Sequence, residues 1–178
     1  MANLVVALIA LGSFLGVVAA LVQGSLAPQM RISNSWKEMR AMTQQSARTE
    51  LEEVDLQVQS SGAEIRLAAA NTGAASLRDF GNWDVIVSYQ ESSTSTDFLV
   101  RRLSYTTGGS PGDNEWAVDG LYLDASLGVD EVFDPGILDP GEQIVLQLRL
   151  APPSATSTHG QVVLATENGV TLSAQFTH

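Results

Sequence analysis

The sequence predicts an α+β protein: a long N-terminal hydrophobic α-helix followed by an antiparallel immunoglobulin-like β-sandwich head. Three observations predict it. Residues 4–22 form an uncharged apolar run. An apolar stripe at helical spacing continues past the end of that run. From Val54 onward the hydrophobic period changes to 2, in short runs separated by Gly, Pro, Asn and Ser. The expected boundaries are 1–53 for the helix (apolar part 4–22, amphipathic extension 29–53) and 54–178 for the head.

The apolar run, LVVALIALGSFLGVVAALV, holds nineteen residues, sixteen of them apolar. As a helix it spans roughly 28 Å, near the thickness of a bilayer's hydrocarbon core. A secretory signal opens with a basic segment and has a shorter apolar run, and neither feature is present here. Leu4, Leu8, Leu11, Leu15, Val18 and Val22 form one stripe at spacings of 4 and 3. Gly12, Gly16, Ala20 and Gly24 form a second stripe, of small side chains, which lets helix backbones approach closely. A plain single-span anchor accounts for the apolar run. The small-residue ladder goes further and points to a helix that packs against other helices. Ile32, Trp36, Met39, Leu51 and Val54 continue the apolar stripe between polar residues, so the helix is expected to reach Glu53. Pro28 removes one backbone hydrogen bond and is the expected kink.

The head reads as about eight strands. Val54, Leu56 and Val58 alternate with Asp55, Gln57 and Gln59; the next runs centre on Ile65–Leu67, Trp83–Tyr89, Phe98–Val100, Trp116–Leu123, Ile144–Leu150, Val162–Leu164 and Val170–Phe176. Asn168-Gly169 between two alternating runs signals a hairpin. Asp134-Pro-Gly136 and Asp139-Pro-Gly141 read as paired turns. Trp83, Tyr89, Phe98, Trp116, Tyr122 and Phe176 are the expected aromatic core.

Charge and composition exclude several function classes. The 178 residues carry a net charge of −11 and no cysteine. Residues 1–48 sum to +3 and residues 49–178 to −14. Without clustered Lys and Arg the head has no phosphate-binding surface, so no nucleic-acid partner is expected. There is no thiol nucleophile and no phosphate loop. His159 sits in a Ser/Thr-rich stretch and is expected to be solvated. Acids around the Pro-Gly turns are ordinary turn chemistry. No catalytic residue and no cofactor are expected. Asp130, Glu131 and Asp134 are the secondary candidates for a calcium or other metal site, without the DxDxDG spacing such a loop requires. Asp113, Asn114 and Glu115 are a second such cluster.

An apolar N-terminal helix, its amphipathic continuation and an acidic head are similar to the parts of a type IV filament subunit. The head resembles that of archaellins, the subunits of the archaeal swimming filament. The resemblance rests on Asn71-Thr-Gly73, Trp83-Asp-Val-Ile-Val-Ser-Tyr89, the segment Phe133 to Glu142 and Thr166-Glu-Asn-Gly-Val170. It implies an extracellular structural protein that polymerises with identical subunits through its N-terminal helices and lies in the membrane only before assembly. It also implies a leader cut by a prepilin-type peptidase just before Met1, and a membrane platform with an ATPase that drives assembly for swimming motility. The glutamate near the start of many bacterial pilins is missing, as are N-x-S/T acceptors. Two alternatives keep the architecture: an adhesion pilin or envelope-anchored accessory protein of the same family, and a single-span surface protein whose head binds a ligand.

Overall fold

The computed structural model describes residues 5, 7–15, 36, 39–40, 43–44, 46–59, 61–94 and 96–178. They fall into two compact units, Met1–Gln44 and Gln45–His178. In the first unit, Val5 and residues 7–15 are helical, as are Trp36, Met39, Arg40, Thr43 and Gln44. The Thr43 hydroxyl donates to the Met39 carbonyl at 2.8 Å, the back-bond that a helical Thr makes to the preceding turn.

The expected fold class is corrected here: the described residues are mainly β. No helix among them is long and apolar enough to cross a membrane, and the expected helix does not run to Glu53, because β1 begins at Leu51 (Leu51–Val58). The reason is a β-bulge. Glu53 pairs with Ala69 and Asp55 with Ala68, so Val54 is an extra residue on its strand. Leu51 and Val54 lie three apart in sequence, which imitates a helical stripe, but both stand on this bulged strand. Leu51 is instead a core residue of the sheet, while Val54 is 43% exposed.

The second unit follows β1 with β2 (Glu64–Asn71), β3 (Asp84–Tyr89), β4 (Leu99–Tyr105), β5 (Glu115–Asp124), β6 (Val129–Asp130), β7 (Gln143–Arg149), β8 (His159–Ala165) and β9 (Thr171–Thr177). One group runs β1-β2-β7-β5 with β6 on the end of β5; the other runs β4-β3-β8-β9. All pairs are antiparallel except a two-residue parallel link, Ser104 with Glu115 and Tyr105 with Trp116. That link makes one continuous sheet of what the sequence suggests as two. Asn114, at φ 58°, turns the chain into it, and Ser104 N–H donates to its carbonyl at 3.0 Å. At the far ends β1 and β9 lie against each other. Ser46 Oγ donates to the Asn168 carbonyl, and the Asn168 amide donates to Thr49 Oγ1 at 2.7 Å. The sheet is therefore nearly closed.

Strand alternation fills its interior. Ile65, Leu67 and Ala69 of β2, Ile144, Leu146 and Leu148 of β7, Val85, Val87 and Tyr89 of β3, and Val162 and Leu164 of β8 are all buried. Each large aliphatic side chain so buried contributes about 1.5–3 kcal/mol relative to exposure. Trp83, Trp116 and Phe176 join them as expected, but Phe98 is 54% exposed. Phe80, on a short 3-10 turn (Phe80–Asn82), is buried as well, edge-on to Trp83 with ring centroids 5.0 Å apart.

The turns show why these runs stop where they do. Ile137 N–H donates to Asp134 O at 3.0 Å and Glu142 N–H to Asp139 O at 3.1 Å, which closes both Pro-Gly turns. Between β8 and β9 the loop is longer than a two-residue Asn-Gly turn. Gly169 N–H returns to Thr166 O at 3.0 Å, and Thr166 N–H pairs with Val170 O at 2.9 Å. Gly169 at φ 81° takes the left-handed position that a three-residue hairpin loop needs.

Asn71 joins three segments. Its side chain is wholly buried. The amide donates to Ala75 O at 2.8 Å and Leu138 O at 3.0 Å, and its oxygen accepts Gly73 N–H at 3.2 Å. Beside it Leu77 and Leu138 exchange backbone hydrogen bonds of 2.9 and 2.7 Å.

Tyr89 is a buried core residue, its hydroxyl donating to Pro152 O at 2.7 Å. Burial pushes the hydroxyl above its ordinary pKa, against the pull of the Arg101 guanidinium. The neutral form is thus favoured by folding. Its stabilisation is complete below about pH 10 and is lost as pH rises through the raised folded-state value. Thermal melts between pH 9 and 11 are expected to fall in Tm, in step with late phenolate absorbance that Tyr89→Phe removes. A Tm that is flat across that range would contradict this.

Candidate functional site

Of the residues expected to pack a filament core, Leu8, Leu11, Gly12 and Leu15 are described, and all four are helical. The three leucines are 60–62% exposed, and Ile9 and Phe14 around them 64% and 68%. A Cβ on Gly12 would meet nothing within 4 Å. This short helix is apolar on every side, the pattern of a helix whose surroundings are themselves apolar. Leu4, Gly16, Val18, Ala20, Val22, Gly24 and Pro28 lie outside the described residues.

In the second unit the chemistry-bearing residues converge on the end of β5 and the chain beyond it. Residues 124–142 contain six acids and no Lys or Arg. Three of these carboxylates hold turns. Asp124 Oδ1 accepts Ser126 N–H at 2.9 Å, Ser126 Oγ–H at 2.6 Å and Leu127 N–H at 3.2 Å. The Ser126 hydroxyl and the Leu127 amide hold the Asp124 carboxyl below its usual range. Glu142 Oε2 accepts Asp139 N–H at 2.8 Å, and Glu131 Oε1 accepts the amides of Phe133 and Asp134, the latter at 2.8 Å.

The expected metal candidates divide accordingly. Asp130 is exposed on β6, Glu131 faces inward and Asp134 opens a Pro-Gly turn. Among the described residues no three His, Asp or Glu side chains are grouped to hold a metal ion. In the second cluster, Asp113 pairs with Arg149 at 3.2 Å, Asn114 Oδ1 accepts Ala151 N–H at 3.2 Å and Glu115 Oε2 accepts Gly112 N–H at 2.8 Å. His159 lies at the start of β8 and not in the loop before it; its Nδ1 is 2.9 Å from Thr177 Oγ1.

Sequence periodicity does not reveal what these turns present. Leu123, Leu127, Val132 and Phe133 are 55%, 76%, 77% and 93% exposed. Leu123 ends β5 and the other three stand on the turns pinned by Asp124 and Glu131, so apolar side chains among acids face solvent there. Scattered exposed apolar side chains are commonplace, whereas a group of them on one ordered loop system marks an interaction surface. Below it lies a pocket of about 300 Å³ between Phe80, Tyr105, β5 and the 131–136 loop.

The fold is found in known structures. No protein-family model matches the chain, and no curated protein does. The archaellum periplasmic stator protein FlaG from Sulfolobus acidocaldarius is 20% identical, with a TM-score of 0.50 over 72% of this chain and 99% of that one. In the FlaF–FlaG stator complex of the same organism the match is 19% identical, TM-score 0.51, over 72% of this chain and 89% of that one. The archaeal flagellum of Methanospirillum hungatei strain JF1 matches at 12% identity and TM-score 0.61, over 96% of this chain and 90% of that one. At these identities the likeness is one of fold: the chain carries a β-domain of the kind present in archaellum stator and filament proteins.

Proposed function

We propose that the chain is an accessory protein of an archaellum-type machine, held at the cell envelope, whose β-domain docks other proteins and does no catalysis. The carrying observation is that a whole stator domain, 99% of FlaG, is matched within this chain. The acidic head with an ordered apolar tip supports the same reading. An accessory head needs one accessible docking surface, while its solvated remainder repels non-specific contact. Deleting the gene from its host is the test. The accessory reading expects intact filaments and loss of swimming.

A second reading, a subunit of the filament itself, draws on the flagellum match over 96% of the chain. It expects the same deletion to remove the filaments, and purified filaments to contain this chain as their bulk component. Either of those results would overturn the accessory reading.

A further inference from the structure

Asn168 is the only asparagine in the chain that glycine follows, and that pair carries a chemistry of its own. The Gly169 nitrogen, once deprotonated, attacks the carbonyl carbon of the Asn168 side chain, since glycine has no Cβ to obstruct the approach. The new N–C bond closes a succinimide ring, and the side-chain nitrogen leaves as ammonia. Water then opens the ring at either carbonyl. One product is aspartate. The other is isoaspartate, whose main chain runs through the former side chain. Water is the only co-reactant.

In the folded chain both reacting groups are engaged elsewhere. The hydrogen that must leave Gly169 N is the one given to Thr166 O at 3.0 Å. The nitrogen that must be expelled, Asn168 Nδ2, donates to Thr49 Oγ1 at 2.7 Å, 119 residues away in sequence. Thr49 is buried, and the Asn168 main-chain carbonyl accepts the Ser46 hydroxyl from the same segment. The Thr166 hydroxyl donates to Asn168 Oδ1. That bond polarises the carbonyl toward attack, so the restraint is one of position and not of electronics. Every one of the restraining bonds joins the β8–β9 loop to itself or to the chain entering β1.

We propose that Asn168 is a latent self-modification site, gated by the seam between the chain entering β1 and the β8–β9 loop. With the seam closed, Asn168 persists; with it open, Asn168 converts. The change is one-way. Either product removes the amide that Thr49 accepts. Isoaspartate also adds a main-chain carbon to the loop, which displaces Gly169 N–H from Thr166 O. The converted fraction therefore records how long the seam has been open.

The test incubates the full-length chain in mildly alkaline buffer, folded and in guanidinium chloride. Mass spectrometry and isoaspartate-specific methylation follow the peptide that contains residues 167–169. Conversion is expected to be about a hundredfold slower in the folded chain. Thr49→Val keeps the shape and removes the acceptor; it is expected to speed conversion of the folded chain about tenfold. Ser46→Ala is expected to act in the same direction, and serves alone if Thr49→Val does not fold. Tyr89→Phe also removes one hydrogen bond, but at the other end of β8, where Tyr89 pairs with Gly160; it is expected to leave the rate unchanged. Equal rates in folded and unfolded chain, no acceleration in either seam variant, or equal acceleration by Tyr89→Phe would overturn the gating. A converted, folded fraction whose Gly169 amide exchanges as slowly as before would overturn the loss of the loop bond.

Discussion

Asn71→Asp is expected to lower the unfolding free energy of the β-domain by about 3 kcal/mol or more at pH 7. The native amide gives one hydrogen to Ala75 O and one to Leu138 O, in a site with no solvent exposure. An aspartate of the same shape replaces that donor by an oxygen facing two carbonyls. Two acceptors lose their hydrogens and a charge is buried without a partner, and each effect alone costs more than a kilocalorie on the usual scale. The sign with pH follows. Burial raises the new carboxyl's pKa in the folded state, so the variant is least destabilised when protonated and loses stability as pH rises past about 3.9. Asn71→Ala lacks the charge and is expected to cost about 2–3 kcal/mol with no such pH dependence. Urea unfolding of both variants at pH 4 and pH 7 separates the two. Equal losses at both pH values for Asn71→Asp would mean that the buried carboxylate is relieved by rearrangement or water.

The strand content of the head was legible because its strands have one face in the core. Where apolar and polar residues alternate, as in β9 with Leu172, Ala174 and Phe176 buried between exposed Ser173 and Gln175, the period of 2 survives in the sequence. It fails where geometry breaks the alternation. At Val54 the bulge inserts a residue and the pattern reads as helical. Phe98 lies just before β4, and nothing local says that an aromatic there stays uncovered. Phe80 was invisible for the converse reason: a single buried aromatic on a 3-10 turn has no period. Asn71-Thr-Gly73 is visible as a motif, but its action depends on Leu138, sixty-seven residues away. The same limit applies to the acidic segment after β5. Asp130, Glu131 and Asp134 stood out as acids. The pocket beside them also needs Phe80 from the 3-10 turn and Tyr105 from β4, which only the fold brings together.

Two glycines are expected to respond to the same substitution with opposite sign. Neither Gly73 nor Gly109 has a φ in the left-handed region, so alanine fits both backbones. By itself the change should stabilise, by about 0.4–1 kcal/mol, because the unfolded chain loses freedom. Space then decides. A Cβ on Gly109 meets nothing within 4 Å, whereas one on Gly73 would lie 2.5 Å from Arg48 O, 2.6 Å from Glu50 N and 3.0 Å from Thr49 Cα. All three are backbone atoms and no side-chain rotation clears them. The 48–50 segment must move away, and with it go the hydrogen bonds from Thr72 N–H and Gly73 N–H to Glu50 O, at 3.0 and 3.2 Å, and from Ala74 N–H to Arg48 O at 2.7 Å. Losing that cluster outweighs the entropic gain several-fold, so Gly73→Ala is expected to destabilise by about 3 kcal/mol or more. Gly109→Ala is expected to be neutral or slightly stabilising. Urea unfolding of the two variants side by side is the measurement, because the unfolded-state gain is common to both and the difference isolates the collision. A Gly73→Ala protein as stable as Gly109→Ala would mean that the chain entering β1 can shift freely, and that the Asn71-Thr-Gly73 corner does not hold the start of the sheet.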